Sequence, residues 1–122
     1  MKMNKKILAV DDSRSMRQMV AMTLANAGYD VTEAEDGVDA LSKAKLSSYD
    51  LVLTDINMPN MNGLELTAAL RALTNYQLIP IICLTTESSE EMKGYGKKAG
   101  ATGWIVKPFL PEKLLATISR VV

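Results

Sequence analysis

A small set of polar residues could do chemistry together if the fold brings them to one place. Asp11 and Asp12 form an acidic pair, Asp55 is a third acid, and Thr85 and Lys107 add a hydroxyl and an ammonium group. Three carboxylates a few ångströms apart repel one another unless a cation lies between them. Because carboxylate oxygens are hard ligands and the chain has no histidine, the expected ion is Mg²⁺, with Mn²⁺ as a substitute.

The same residue types predict a site for a phosphoryl group. Magnesium held by carboxylates commonly takes phosphoryl oxygens as further ligands. Lys107 would then supply the remaining positive charge and Thr85 a hydroxyl donor. A carboxylate in this setting can itself attack phosphorus and form an aspartyl phosphate.

These polar residues follow short apolar runs, and that placement predicts how they meet. Four runs are almost continuously apolar, which is typical of parallel strands covered on both faces, and a fifth is mixed with polar residues, as an edge strand is. The predicted strands are Ile7–Val10, Val31–Ala34 (the edge), Leu51–Leu53, Ile79–Leu84 and Trp104–Val106. In open α/β sheets, ligands bind outside the carboxyl ends of the strands. We therefore expect the acids, the threonine and the lysine to collect at one edge.

Stretches of helical period fill the intervals between the strands. The first helix carries Met16 and Met19 on its apolar stripe, has a capping box of Ser15 and Gln18, and ends at Gly28. The other four are predicted to begin near Asp36, Asn62, Ser88 or Ser89, and Pro111. The alternation predicts a (βα)5 chain, a single α/β domain of three layers with helices on both faces of the sheet.

Composition limits the possible functions. The chain has 122 residues, the size of one domain, and 14 basic residues balance 14 acidic ones. A net charge of zero argues against non-specific binding to nucleic acid or to an anionic membrane. We find no membrane-span run and no signal peptide, so we expect a cytoplasmic protein. The single cysteine, Cys83, lies in an apolar run and is expected to be buried.

The motifs at the strand ends resemble those of response-regulator receiver domains. In order along the chain, these motifs are Asp11-Asp12, Asp55-Ile56-Asn57-Met58-Pro59 with Gly63, Leu84-Thr85-Thr86 and Lys107-Pro108-Phe109. The similarity extends from Lys5 to Val122. It implies a flavodoxin-like (βα)5 fold with strand order 2-1-3-4-5 and a cis bond between Lys107 and Pro108. We expect one receiver domain over residues 1–122, with an ordered core of about 5–122, and no output domain.

Carried onto this sequence, the resemblance assigns roles in phosphoryl transfer. Asp55 is the phosphoacceptor, and Lys107 pairs with the phosphoryl oxygens. Asp12 and Asp55 bind magnesium through their side chains. Asn57 binds the ion through its backbone carbonyl, and Asp11 does so largely through water.

The resemblance also assigns residues that respond to the phosphoryl group. Thr85 moves to hydrogen-bond it, and Trp104, at the position of the family's switch aromatic, follows. The indole N–H of Trp104 is expected to need a hydrogen-bond partner when buried. Asn57 and Glu87 influence how water reaches the acyl phosphate, and so set its lifetime.

The function that the resemblance implies is signalling in a two-component system, not enzymatic turnover. A histidine kinase would phosphorylate Asp55, and the phosphorylated face of a monomer would bind a protein, first of all a flagellar motor switch protein in chemotaxis. A phosphatase is a further candidate partner. The alternative functions are a phosphorelay intermediate and a phosphate sink, which share the same architecture.

Two other functions are disfavoured by the residues found at positions that those functions depend on. A magnesium-dependent aspartate-nucleophile phosphatase needs a second acid two residues after the nucleophile, where this chain has Asn57. A flavin- or nucleotide-binding module needs a Gly/Ser/Thr-rich loop after the first strand, where this chain has Asp11 and Asp12.

Overall fold

A five-stranded parallel sheet forms the centre of the computed structural model, which describes residues 5–122. The strands are β1 (Lys6–Val10), β2 (Asp30–Ala34), β3 (Leu51–Thr54), β4 (Ile81–Thr85) and β5 (Gly103–Val106). Their order, β2-β1-β3-β4-β5, confirms the predicted flavodoxin-like topology. The first four residues of the predicted 1–122 domain lie outside the described residues.

Within residues 5–122, five α-helices alternate with the strands, as predicted. They are α1 (Arg14–Asn26), α2 (Gly37–Leu46), α3 (Gly63–Arg71), α4 (Glu90–Ala99) and α5 (Pro111–Val121), and a short 3₁₀ turn spans Thr74–Tyr76. The predicted caps are confirmed at Asp36 and Ser89, and Asn62 with Glu65 completes a capping box at the start of α3. The last turn of α4 ends on Gly100, in the left-handed conformation that glycine favours.

Each face of the sheet is covered by helices, which explains the continuous apolar runs. Ile7 and Ala9 of β1 belong to a core cluster with residues of α1 and α5. Leu8 and Val10 belong to a second cluster with residues of α2 and α3 on the opposite face. Because side chains alternate along a strand, a strand buried on both faces must be apolar at every position.

Some local predictions were wrong at element boundaries. The cap of α1 is Ser13, whose side chain accepts the N–H of Met16, so the predicted capping box of Ser15 and Gln18 does not form. The Asp11 side chain accepts the N–H of Ser13 and turns the chain into the helix earlier.

Two further local predictions, one of a strand start and one of a core position, were also wrong. β4 begins at Ile81 instead of Ile79, because Pro80 has no N–H to donate to the strand ladder. Met19 is 45% exposed, whereas Met16 packs against the core. The buried stripe of α1 is centred on Val20 and Leu24, and Met19 lies about 100° round the helix from Val20.

Candidate functional site

Three carboxylates meet at the carboxyl edge of the sheet. Val10 of β1 pairs with Thr54 of β3, so the residues that follow these strands lie side by side. Asp11, Asp12 and Asp55 each offer a carboxylate oxygen, and these oxygens lie within 4.8 Å of one another. Asp11 is buried, Asp55 is partly buried and Asp12 is exposed. The cluster is therefore open to solvent on the side of Asp12, and its hard oxygen ligands suit Mg²⁺.

Lys107 lies against two of these acids. Its Nζ is 2.9 Å from Oδ2 of Asp11 and 3.5 Å from Oδ2 of Asp55. The backbone N–H of Lys107 donates to the carbonyl of Thr85 at 2.8 Å, which ties the end of β5 to the end of β4. The peptide bond to Pro108 is cis, as the resemblance implied. Lys107 therefore lies at the acid cluster, where the predicted sheet topology would bring it.

The environment of Asp55 disfavours its ionised form. Burial raises the pKa of the Asp55 carboxyl, the positive charge of Lys107 lowers it, and the nearby charge of Asp11 raises it, with a net pKa above the ordinary value of 3.8. The backbone N–H of Ile56 donates to Oδ1 of Asp55 at 2.7 Å. A carboxylate so placed gains from a bound cation, because the ammonium of Lys107 is shared between two acids.

Gly63 is required where α3 begins beside the acid cluster. Its N–H donates to the carbonyl of Ile56 at 2.9 Å. A Cβ at position 63 would lie 2.1 Å from the backbone oxygen of Asp55, a separation at which the backbone must shift. The glycine of the third-strand motif therefore allows the loop that follows Asp55 to fold back on itself.

A chain of hydrogen bonds joins the remaining predicted residues through Glu87. The Thr85 side chain is fully buried, and its Oγ1 accepts the N–H of Glu87 at 3.2 Å. The carbonyl of Glu87 accepts Nε1–H of Trp104 at 2.8 Å, which is the partner that the indole needed. Nδ2 of Asn57 lies 3.5 Å from Oε1 of Glu87. The loop after β4 thus touches both Trp104 and the loop that follows Asp55.

Sequence reasoning missed Arg17, which also contacts the acid cluster. Its Nη1 donates to the backbone carbonyl of Asp11 at 2.8 Å, and its Nε lies 3.1 Å from Oε1 of Glu33. A signal was present in the sequence: Arg17 precedes Val20 by three residues and Leu24 by seven, so it lies on the buried stripe of α1. A charged residue on an apolar stripe needs a polar partner.

A family model for the response regulator receiver domain matches residues 7–119 of the chain. The chain belongs to the response-regulator receiver family. This receiver domain is 47% identical over 111 residues to chemotaxis protein CheY1 of Helicobacter pylori strain J99. The aligned region covers 89% of this chain and 90% of the relative.

Two solved structures resemble this receiver domain closely. Chemotaxis protein CheY4 of Vibrio cholerae has a TM-score of 0.95 and 52% identity, over 98% of this chain and 100% of that chain. The receiver domain of sensor histidine kinase PA1611 from Pseudomonas aeruginosa PAO1 has a TM-score of 0.90 and 29% identity, over 98% of both chains. The PA1611 structure was determined with a magnesium ion coordinated in its active site cleft.

The family assignment fixes the general class of this protein. It is a CheY-like receiver domain of a two-component response regulator, a signalling protein and not a conventional enzyme. The receiver family binds Mg²⁺ at an acidic pocket, and this chain has a cluster of three aspartates that could hold a metal ion. Among residues 5–122, no helix combines the length and the hydropathy needed to cross a membrane.

Proposed function

We propose that a histidine kinase phosphorylates this receiver on Asp55 in a magnesium-dependent reaction, and that the phosphorylated protein then acts in chemotaxis by binding a protein partner. The observation that carries the proposal is the acid cluster together with Lys107. Three carboxylates lie within 4.8 Å of one another, and Lys107 contacts Asp11 and Asp55. This combination provides a nucleophile, cation ligands and a fixed positive charge in one place.

The chemistry at Asp55 is a transfer of phosphorus from nitrogen to oxygen. The Asp55 carboxylate attacks the phosphorus of a phosphohistidine, the P–O bond forms, and the P–N bond breaks. The electron pair of that bond stays on the leaving imidazole nitrogen. Asp12, Asp55 and the backbone carbonyl of Asn57 would hold Mg²⁺, with Asp11 acting through water. The bound ion would neutralise charge on the phosphoryl oxygens.

Phosphorylation would change the interactions at the end of β4. The phosphoryl group carries about −1.5 to −2 charges beside Lys107 and the buried Thr85 hydroxyl, in place of the single negative charge of the Asp55 carboxylate. Thr85 would then donate its hydroxyl hydrogen to a phosphoryl oxygen, and its movement would alter the bond that its Oγ1 accepts from the Glu87 N–H. Because Glu87 also accepts the Trp104 indole N–H, a shift of this loop would reach Trp104. The side chains of Asn57 and Glu87 would control the approach of water to the acyl phosphate.

The comparisons support chemotaxis as the setting. Relatives that are 47% and 52% identical are named chemotaxis proteins, whereas the receiver of the sensor kinase PA1611 is 29% identical. We therefore propose a flagellar motor switch protein as the downstream partner, with a histidine kinase as phosphodonor and a phosphatase as a further partner.

Phosphorylation is tested with acetyl phosphate and Mg²⁺, read by intact-protein mass and a phosphate-affinity gel. The wild type should gain one phosphoryl group, and the Asp55→Asn variant and wild type in EDTA should gain none. Asp30→Asn, at an exposed acid of β2, is the matched control and should label as the wild type does. Labelling of Asp55→Asn would remove Asp55 from the role.

The partner is tested with purified proteins. Beryllofluoride-activated wild type should bind a purified flagellar switch protein, and Asp55→Asn treated in the same way should not. Phosphoryl exchange with a histidine phosphotransfer protein, without switch-protein binding, would identify a relay intermediate instead. Equal binding by activated and inactive protein would contradict phosphorylation-dependent signalling.

A further inference from the structure

Arg17 of α1 contacts the segment Asp11–Asp12 that follows β1. Its guanidinium donates from Nη1 to the carbonyl of Asp11 at 2.8 Å and pairs through Nε with Glu33 of β2 at 3.1 Å. The Arg17 side chain is 16% exposed, whereas that of Glu33 is 41% exposed. The guanidinium is thus largely enclosed between α1 and the carboxyl ends of β1 and β2.

Every polar group of Asp11 has a partner, and the carbonyl depends on Arg17. The Asp11 N–H donates to Ala34 O at 3.1 Å, Oδ1 accepts the Ser13 N–H at 2.9 Å, and Oδ2 accepts from Lys107 at 2.9 Å. The carbonyl of Asp11 is one end of the peptide unit that leads to Asp12. Because a peptide unit is planar, holding that oxygen restricts the positions of the N and Cα atoms of Asp12, from which its side chain projects.

Asp12 differs from the other two acids because it is exposed. No packing around an exposed carboxylate restricts its rotamers, so its place in the cluster depends on the backbone that carries it. A rotation of the Asp11–Asp12 peptide would move the Asp12 carboxylate away from Asp55. The bond from Arg17 opposes that rotation.

We propose that Arg17 is a positioning residue that sets the affinity of the acid cluster for a divalent cation, through the Asp11–Asp12 peptide, with Glu33 orienting its guanidinium. The inference rests on the proposed function, because it assumes that the three acids bind Mg²⁺. A guanidinium can donate from Nη1 and Nε in one plane, whereas the single ammonium of lysine cannot reproduce both contacts. The role therefore requires the shape of arginine as well as its charge.

The expected effect is a loss of metal affinity. Removing groups that orient metal ligands typically weakens binding about 10- to 100-fold. Arg17→Met should weaken Mg²⁺ binding by a factor in this range, and Arg17→Lys should weaken it nearly as much. Glu33→Gln, which keeps the Arg17–Asp11 bond and loosens the guanidinium, should cost a smaller factor. Acetyl phosphate labelling of Arg17→Met should approach the wild-type rate once Mg²⁺ saturates the weakened site.

The control for charge is Arg14→Met, because Arg14 is an exposed arginine on the same helix. It removes the same charge near the same loop and should change Mg²⁺ affinity less than about twofold, because an exposed charge is screened by solvent. Isothermal titration of each protein with Mg²⁺ gives the dissociation constants, and circular dichroism confirms that each variant is folded. If Arg17→Met does not fold, Arg17→Lys and Glu33→Gln carry the comparison.

The outcomes separate this inference from the proposed function. Wild-type affinity in Arg17→Lys would show that the shape of the guanidinium does not matter. An equal loss in Arg14→Met and Arg17→Met would show that the loss does not depend on the Arg17–Asp11 bond, because removing a positive charge by itself favours cation binding. Either result overturns the positioning role. If the labelling rate of Arg17→Met stays low at saturating Mg²⁺, the defect is not in metal affinity and the inference also fails. If wild type itself binds no Mg²⁺, the proposed function fails first.

Discussion

At Asp55, burial disfavours the ionised carboxylate whereas the positive charge of Lys107 favours it. Burial and the charge of Asp11 raise the pKa of its carboxyl above 3.8, and Lys107 only partly opposes them. A carboxyl whose pKa is raised in the folded state stabilises the protein fully below its unfolded pKa. That stabilisation is lost as pH rises through the folded pKa. At neutral pH, ionised Asp55 therefore lowers the free energy of unfolding.

The Asp55→Asn variant tests how far ionised Asp55 lowers the free energy of unfolding. In EDTA at neutral pH, its free energy of unfolding should exceed that of the wild type. The difference should shrink as pH falls through the raised folded pKa of Asp55 toward the ordinary value of 3.8, because Asp55 takes up a proton. Mg²⁺ at about 100 times its dissociation constant should then raise wild-type stability by about 2.7 kcal/mol, with a smaller gain in the variant. Urea unfolding followed by circular dichroism measures both. A less stable variant in EDTA at neutral pH would contradict the charge argument.

Residues of the site were predictable where they directly follow a strand. Asp11, Asp55 and Lys107 each come at the end of an apolar run, and parallel strands bring such positions to one edge. Arg17 was not found in this way, because it lies on a helix and reaches the cluster through a backbone carbonyl. The contact between Glu87 and Trp104 depends on the path of a loop, which residue spacing does not specify.

At the scale of elements, α4 fits around Trp104 through one of its two glycines. A Cβ at Gly96 would lie 2.4 Å from Cζ3 of the indole ring, whereas a Cβ at Gly94 would meet nothing within 4 Å. The two glycines look equivalent in the sequence. Their difference appears only when the helix is packed on β5, so Gly96 has a steric role and Gly94 has none.

Alanine at position 94 and alanine at position 96 should therefore change the free energy of unfolding in opposite directions. Gly94→Ala should raise the free energy of unfolding by up to about 1 kcal/mol, because alanine is the better helix former. Gly96→Ala should lower it by about 1–3 kcal/mol, because the added methyl group forces the indole or the helix to move. Urea unfolding measures both, and Trp104 is the only tryptophan, so the native fluorescence reports its displacement.

The smaller ring of Trp104→Phe should relieve the clash. The Gly96→Ala change should cost less in the Trp104→Phe background than in the wild type, as read by circular dichroism. Equal stability of Gly94→Ala and Gly96→Ala in the wild-type background would show that α4 does not depend on this fit.

Local signals predicted several helix ends but not all of them. The capping box of Asn62 and Glu65 was visible in the sequence because its two bonds join residues three apart. The start of α1 was predicted wrongly because Ser13 is held by Asp11, a residue of the functional site. Here the requirements of the site, and not helix propensity, decide where the helix begins.

At the scale of the whole molecule, the order of the strands places the acids together, and Arg71 ties together segments outside the sheet. Its guanidinium donates to the carbonyls of Tyr76 at 2.7 Å and Ile79 at 2.6 Å, and to that of Gly100 at 3.0 and 2.8 Å. It also lies 3.2 Å from Oγ1 of Thr102. One side chain at the end of α3 thus holds the approach to β4 and the turn between α4 and β5.

Arg71→Met should therefore lower global stability while leaving the chemistry intact. Hydrogen bonds to a charged group contribute about 1.5–3 kcal/mol, and the variant leaves several carbonyls without that donor, so we expect a loss of about 2–4 kcal/mol in urea unfolding. Arg120→Met, at an exposed arginine of α5, is the matched control and should change stability by less than about 0.5 kcal/mol. Because Arg71 does not contact the acid cluster, folded Arg71→Met should take up phosphate from acetyl phosphate at the wild-type rate. A slowed rate in folded protein would mean that the α4–β5 turn is coupled to Asp55 through the sheet, since the stability loss alone would not alter labelling of the folded fraction.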